Sequence, residues 1–368
     1  MPRSYKIKSY KRIYRRSLGS IILQWILILI VLCLLFLTGW KLYEPVTEYL
    51  ENKKDKDYAE IQQEVQEKIP TENPVEIPQQ NQEVIQEVPI EMVEEIEKIL
   101  PSKNAEYISQ EILLDNNQFL NSIANAKENS KNSLMFDLKS KEGYAIYPIA
   151  YNENLDYLYT AEKTISLEKA VEEIKTQDLT AIASLYAFMD TRLQKAERDV
   201  GIFYADTNGY WLDNYPNMGG KSWLNPYSEQ VKKYLCKYID DAANAGFEEI
   251  VLREFHFPVA AEMEKMNFLY DEGKSKIECL RELSEYFSDY AQEKEINLWI
   301  EYPASAIIGE DVLAYGGEIN SLLKGNILVN MSDVSEENYE KILSQVKSKT
   351  SDATLGILNK TEISLRID

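Results

Sequence analysis

The chain has 368 residues, 45% hydrophobic and 27% charged, and its 40 Lys+Arg stand against 61 Asp+Glu for a formal net charge of −21. So acidic a chain repels phosphate backbones, which argues against nucleic acid as a partner. One histidine leaves almost no material for His/Cys zinc sites or Ser-His-Asp triads, and no GxGxxG or P-loop pattern is present, so neither a metal nor a cofactor is expected.

Residues 1–16 carry Arg3, Lys6, Lys8, Lys11, Arg12, Arg15 and Arg16 and no acid, whereas residues 20–40 (SIILQWILILIVLCLLFLTGW) carry no charge. As a helix rising about 1.5 Å per residue, such a run crosses a bilayer core. It stays bulky to its end and closes on Trp40 and Tyr43, side chains that suit the membrane interface. A signal peptide would have a shorter apolar region and a small-residue cleavage site. The sequence therefore predicts a basic cytoplasmic tail (1–19) and a single membrane span contacting lipid through residues 20–43. Everything beyond would lie outside the plasma membrane.

Residues 44–102 read as a stalk, in part helical and in part disordered. Pro70, Pro74, Pro78 and Pro89 fall in a stretch rich in Glu and Gln with few large apolar residues, a composition that favours an extended spacer. From residue 103 the texture is that of a packed domain. Apolar runs at 105–109, 133–138, 179–188, 248–255, 296–302, 325–331 and 353–358 alternate with helical patterns at 116–128, 166–177, 226–246, 274–294 and 335–347. Strands alternating with helices imply a parallel sheet, and seven or eight such units over 103–368 predict an α/β domain with a closed (β/α)8 TIM barrel. An open doubly wound sheet is the alternative, but it would want a Gly-rich phosphate turn after an early strand. Asn225-Pro226 predicts a cap with proline at the first helical position, and Gly246 a helix stop. Asn208-Gly209 predicts a hairpin excursion after the third strand. Cys236 and Cys279 fall in two helical segments, where two buried thiols are favoured over a disulfide.

The series FDLKSKEG (136–143), IASLYAFMD (182–190), DTNGYW (206–211), SWLNPYSEQV (222–231) and AGFEEIVLREFHFP (245–258) resembles, in order and spacing, the "putative glycosyl hydrolase domain" family of bacterial cell-surface proteins. That resemblance covers roughly residues 103–368 and implies a glycoside-hydrolase-like TIM barrel. Asp137 and Lys139 match the acid and lysine of its IDVKD element. Trp223, Asn225, Pro226 and Tyr227 match its W-x-D/N-P-Y element. In FDEIQFDYVRFP the family's acid falls on Arg253 here and its arginine on His256, and Ser184 stands where the family tends to have arginine.

Glycoside hydrolysis usually needs two carboxyls flanking the scissile bond, and in a TIM barrel they come from the C-terminal ends of strands. Asp137, Glu254 and Glu301 occupy such ends, with Asp190 and Asp333 just beyond others. The catalytic reading pairs Glu254 with Asp137 or Glu301; the alternative has Arg253 salt-bridged to Asp137 or Glu301. Neighbouring strand residues point to opposite faces, so Glu254 reaches the site of residue 253 only if a bulge or the strand end re-aims it. Arg253, His256, Trp211, Trp223, Tyr227 and Tyr186 are the expected substrate-binding side chains. For His256, holding a loop carbonyl competes with shuttling a proton. The aromatics of 204–227 either cover the barrel mouth or form a small core under a loop. Two functions follow: hydrolysis of a cell-envelope or extracellular glycan, peptidoglycan included, or a degenerate barrel that binds such a glycan or a protein without cutting it.

Overall fold

The computed structural model describes residues 102–367, except 153, 208 and 272. The basic tail, the uncharged run and the stalk up to residue 101 lie outside the described residues, as does Asn208 of the expected hairpin turn. Among the described residues no helix is long and apolar enough to cross a membrane.

In chain order the elements are β1 (Lys103–Ile108), α1 (Gln110–Leu114), α2 (Asn116–Glu128), β2 (Ser133–Lys139), α3 (Leu167–Lys175), β3 (Thr180–Tyr186), α4 (Leu193–Ala196), β4 (Phe203–Tyr204), α5 (Glu229–Ala245), β5 (Glu249–Arg253), β6 (Met266–Asn267), α6 (Lys276–Glu293), β7 (Asn297–Pro303), α7 (Ala304–Ile308), β8 (Gly325–Asn330), α8 (Tyr339–Lys349), β9 (Ala353–Asn359) and β10 (Glu362–Ile367). Strands β1, β2, β3, β5, β7, β8, β9 and β10 close into a barrel, the core of a TIM-like fold. One feature departs from the expected (β/α)8 repeat. The eighth staves is β10, which pairs antiparallel with both β9 and β1. Only Lys360 and Thr361 separate β9 from β10, with Lys360 at φ 58°, so the chain turns back as a hairpin and has no room for a crossover helix.

Two apolar layers follow from the period of two along each strand. Met135, Ile182, Val251, Trp299 and Leu328 form one buried cluster inside the barrel. Their neighbours Phe136, Ala183, Leu252, Ile300 and Val329 belong to the other, packed outward with helix residues such as Leu235, Ile239 and Leu283. One step further along each strand, the inward positions are polar: Tyr107, Asp137, Ser184, Arg253, Glu301 and Asn330. One step back on β5 stands Glu249. The interior is thus an apolar plug between two polar layers.

The local signals held with one adjustment. Gly246 takes φ 90° and caps α5 as a helix stop. Helix α5 starts at Glu229 after Ser228, so Pro226 is not its first residue. Instead Asn225 Oδ1 accepts Tyr227 N at 3.1 Å and its carbonyl accepts Ser228 N at 3.0 Å, a turn ahead of the helix. Cys236 and Cys279 are free and buried. The excursion after β3 forms: Tyr204 N donates to Gly209 O at 3.0 Å, and Trp211 N to Ile202 O at 2.8 Å. It is tied to the excursion after β5, where β4 pairs with β6.

Candidate active site

Arg253 ends β5 and sits at the centre of the upper polar layer. Its Nε lies 2.8 Å from Glu301 Oε2 and its Nη1 3.6 Å from Asp137 Oδ1. Its guanidinium stands 4.8 Å over the Tyr186 ring and 5.8 Å from that of Tyr107. Burial alone would weaken its hold on its proton, but Glu301 and Asp137 outweigh that and strengthen it. The salt bridge anticipated for Arg253 forms, and to both acids at once.

Asp137 is buried and has further donors, Tyr107 Oη at 2.6 Å and the Ser184 hydroxyl. Burial, followed by Asp137, raises the Tyr107 phenol far above its ordinary value. Burial likewise pushes Tyr186 up to about 12. Glu301 accepts Asn330 Nδ2 at 2.8 Å on the oxygen that Arg253 Nε does not take. Lys139, the lysine of the IDVKD element, is fully buried. It reaches Asp190 Oδ2 at 3.1 Å and donates to Tyr186 O at 2.5 Å, fastening the end of β2 to the segment after β3. Burial pulls its ammonium value down, against the Asp190 charge.

Glu254 follows the strand end and has φ 49°, in the left-handed region that non-glycine residues rarely enter. That single residue breaks the alternation, so Glu254 turns to the mouth although Arg253 already points inward. Glu254, His256, Glu301, Asn330, Asp333 and Lys341 line one open cavity of about 560 Å³. Asp137 and Asp190 do not line it. His256 Nε2 lies 2.7 Å from Glu254 Oε2 and Nδ1 lies 2.8 Å from Phe257 O. Burial by itself raises the Glu254 carboxyl, but the His256 hydrogen bond and charge, helped by Arg253 and Lys141, bring it below the usual carboxylate value. His256 is the mirror case: burial lowers it, and Glu254 with the Phe257 carbonyl brings it above.

The expected aromatic platform divides. Trp211 is fully buried within the main apolar core and donates Nε1–H to Glu262 O at 3.2 Å, outside the cavity lining. Trp223 is 4% exposed, donates to Asp213 Oδ2 at 2.9 Å and packs its ring 5.5 Å from that of His256. It supports the histidine from behind. Tyr227 packs on Phe257 and Phe268 and donates to Lys274 O at 2.8 Å, outside the cavity lining. Tyr107 and Asn330 were missed by sequence reasoning. Their only signal was phase, since each stands two residues beyond an inward apolar residue, Ala105 and Leu328.

Carboxylates, an arginine and tyrosines gathered at the strand ends around an open mouth mark this as a TIM-like barrel with its candidate site at the usual end. Residues 105–324 match the model of the "Putative glycosyl hydrolase domain" family, and the chain belongs to that family. Among solved structures, the PgaB (BpsB) glycoside hydrolase domain from Bordetella bronchiseptica is 10% identical with a TM-score of 0.50, over 70% of this chain and 84% of that one. A hypothetical protein from Ruminiclostridium thermocellum ATCC 27405 is 21% identical with a TM-score of 0.46, over 57% of this chain and 98% of that one. At these identities the likeness to the first is one of fold. No curated protein matches the chain.

Proposed function

We propose that the barrel cleaves a glycosidic bond in a cell-envelope or extracellular glycan, with Glu254 and Glu301 as its two carboxylates. The observation that carries this reading is that these two, of the three candidate acids, line one cavity with different hydrogen-bonding partners. Glu301 is held between Arg253 and Asn330, one on each oxygen, which orients it. That suits a group that meets positive charge developing at the anomeric carbon, directly or by activating water. Glu254 has one hydrogen-bonding neighbour, His256, and a third of its side chain is exposed, which suits a group that handles the leaving oxygen's proton. In this reading the arginine at 253 orients Glu301 where the family has an acid. The uncharged run supports a bilayer tether through residues 20–43, with the stalk holding the barrel off the plasma membrane.

A second reading is favoured by a separate observation. Arg253 engages Asp137 and Glu301 together, which would hold Glu301 too tightly for chemistry and leave a glycan-binding barrel. One experiment separates the two. The full chain in detergent is incubated with peptidoglycan and a panel of polysaccharides, while new reducing ends and retention on the insoluble glycans are followed. The hydrolase reading expects reducing ends that fall at least a hundredfold in Glu301→Gln and Glu254→Gln. Retention without new ends on any glycan supports the binding barrel and removes the hydrolase.

A further inference from the structure

His256 is the one histidine of the chain, and both its ring nitrogens face acceptors. Nδ1 meets the Phe257 carbonyl at 2.8 Å, and Nε2 meets Glu254 Oε2 at 2.7 Å. A carbonyl oxygen only accepts, so Nδ1 carries a hydrogen in every state that keeps this contact. Nε2 then carries one only in the imidazolium. Between Nε2 and Oε2 there is therefore exactly one proton to place: a charged ring against a carboxylate, or a neutral ring against a carboxylic acid. With no proton between them, two lone pairs would face each other at 2.7 Å, so the contact holds only up to the pH that strips this proton.

We propose that Glu254 and His256 share one proton, and that His256 is the positioning residue that supplies it to Glu254 when the glycosidic bond breaks. The inference rests on the two-carboxylate reading of the mouth. The proton moves from Nε2 to Oε2 and from Glu254 to the glycosidic oxygen, which keeps the electron pair of the breaking C–O bond. The water that adds at the anomeric carbon releases a proton to Glu254, and so back to His256. The groups around the dyad leave that proton in place. Trp223, from the loop before α5, and Tyr315, from the turn after α7, set their rings 5.5 and 5.8 Å from the imidazole. Asp311 favours the charged ring, and Arg253 and Lys141 favour the carboxylate. Neither nitrogen has a competing cation within bonding distance among the described residues.

Because the histidine is unique, its ring gives a single Cε1–H NMR signal in the full chain in detergent, with no assignment problem. The signal is titrated in wild type and in Glu254→Gln, beside the pH profile of glycan cleavage in wild type and His256→Gln. The midpoint is expected above 6.5 and to drop by about one pH unit or more in Glu254→Gln. His256→Gln is expected to lose roughly a hundredfold in kcat with KM little changed, and to lose its alkaline limb. Glu254→Asp, which withdraws the carboxylate by one methylene, serves if the amide variant does not fold. A midpoint unmoved by both Glu254 changes overturns the shared proton, whatever the cleavage assay shows. A shifted midpoint with His256→Gln cleaving like wild type overturns the supply step. A shifted midpoint with no cleavage by any form overturns the hydrolase reading and the supply step with it, and leaves the shared proton standing.

Discussion

The barrel carries an arginine at each end of its apolar plug, and the two ends are built to opposite purposes. At the lower end Arg366 Nη2 meets Glu249 Oε1 at 2.7 Å, Trp299 Nε1 donates to Glu249 Oε2 at 2.8 Å, and the guanidinium stands 5.4 Å from the Trp299 ring. Arg366 gets there by a local break in alternation, with φ 57° and a register shift between Leu365 and Ile367. One arginine faces one carboxylate, both are shielded from water, and the charges cancel. At the upper end one arginine faces two carboxylates, and a third, Glu254, is swung beside them at φ 49°. The same device of a left-handed residue at a strand end closes the lower layer and opens the upper one. A barrel that needed only to fold would have no use for the excess negative charge at the top.

Glu249→Ala breaks the settled end and gives the largest expected effect. It leaves Arg366 without its carboxylate and Trp299 without its acceptor, a loss of about 3–5 kcal/mol typical of stranding one half of a buried pair. The loss should change little with salt, since both partners are shielded from water, and any glycan bound at the mouth should still bind. Arg253→Met breaks the other end and should cost somewhat less, about 3 kcal/mol, since the mouth admits water. Its signature is salt dependence. Asp137 and Glu301 lose their shared cation and stand as two carboxylates without a counter-ion at a mouth that admits water, so the deficit should shrink as added salt screens their repulsion. Urea denaturation of both variants at neutral pH across a range of salt checks the contrast. Equal salt dependence in the two would show that the ends are alike.

How much of this contrast was legible beforehand differs between the two ends. Asp137, Arg253 and Glu301 were legible as residues at strand ends, and in the structure each sits two residues beyond an apolar inward neighbour. Glu254 could reach the same place only if a bulge or the strand end re-aimed it; the strand end does so, and nothing in a glutamate announces a left-handed backbone. The turn at the end of β5 is set by what it joins, namely Ala187 N on Arg253 O at 2.7 Å and Phe257 N on Ala314 O at 3.0 Å. Those contacts are long-range and invisible in one sequence. Arg366 was hidden for the same reason, behind a bulge in a strand that the alternating pattern had not resolved. The hairpin from β9 to β10 did have a signal, two strand-like runs two residues apart. Its Lys360-Thr361 turn lacks the glycine or asparagine that usually marks one. For the aromatics after β3 the composition was clear and the direction was not. Trp211 and Trp223 each spend their N–H on a loop oxygen, which phase rules do not reach.

That loop offers a smaller test, on the side of the molecule that serves structure. Trp211→Phe keeps the buried ring volume nearly whole and removes the Nε1 hydrogen bond to Glu262 O, a carbonyl that keeps Lys265 N as its remaining donor at 3.0 Å. About 1 kcal/mol of stability should go, with no change in glycan retention. A loss of retention at unchanged stability would return Trp211 to the mouth.

The smallest expected effect is the most informative about the upper end. Glu254 has its carboxyl lowered from 4.5, so its share of the pair's stabilisation is present above 4.5 and lost as pH falls through the lowered value. His256 is raised from 6.5, so its share is whole below 6.5 and lost as pH rises through the raised value. The two conditions overlap between 4.5 and 6.5, and the pair's contribution should be greatest there and taper on both sides. Since a third of the Glu254 side chain meets solvent, that contribution is under about 1 kcal/mol. The measurement is the difference in urea midpoint between wild type and His256→Gln across pH. A difference that peaks in the window and fades toward alkaline pH places a titrating pair at the mouth. A flat difference would make His256 a fixed strut like Trp211, and the upper end would then differ from the lower only in its count of acids.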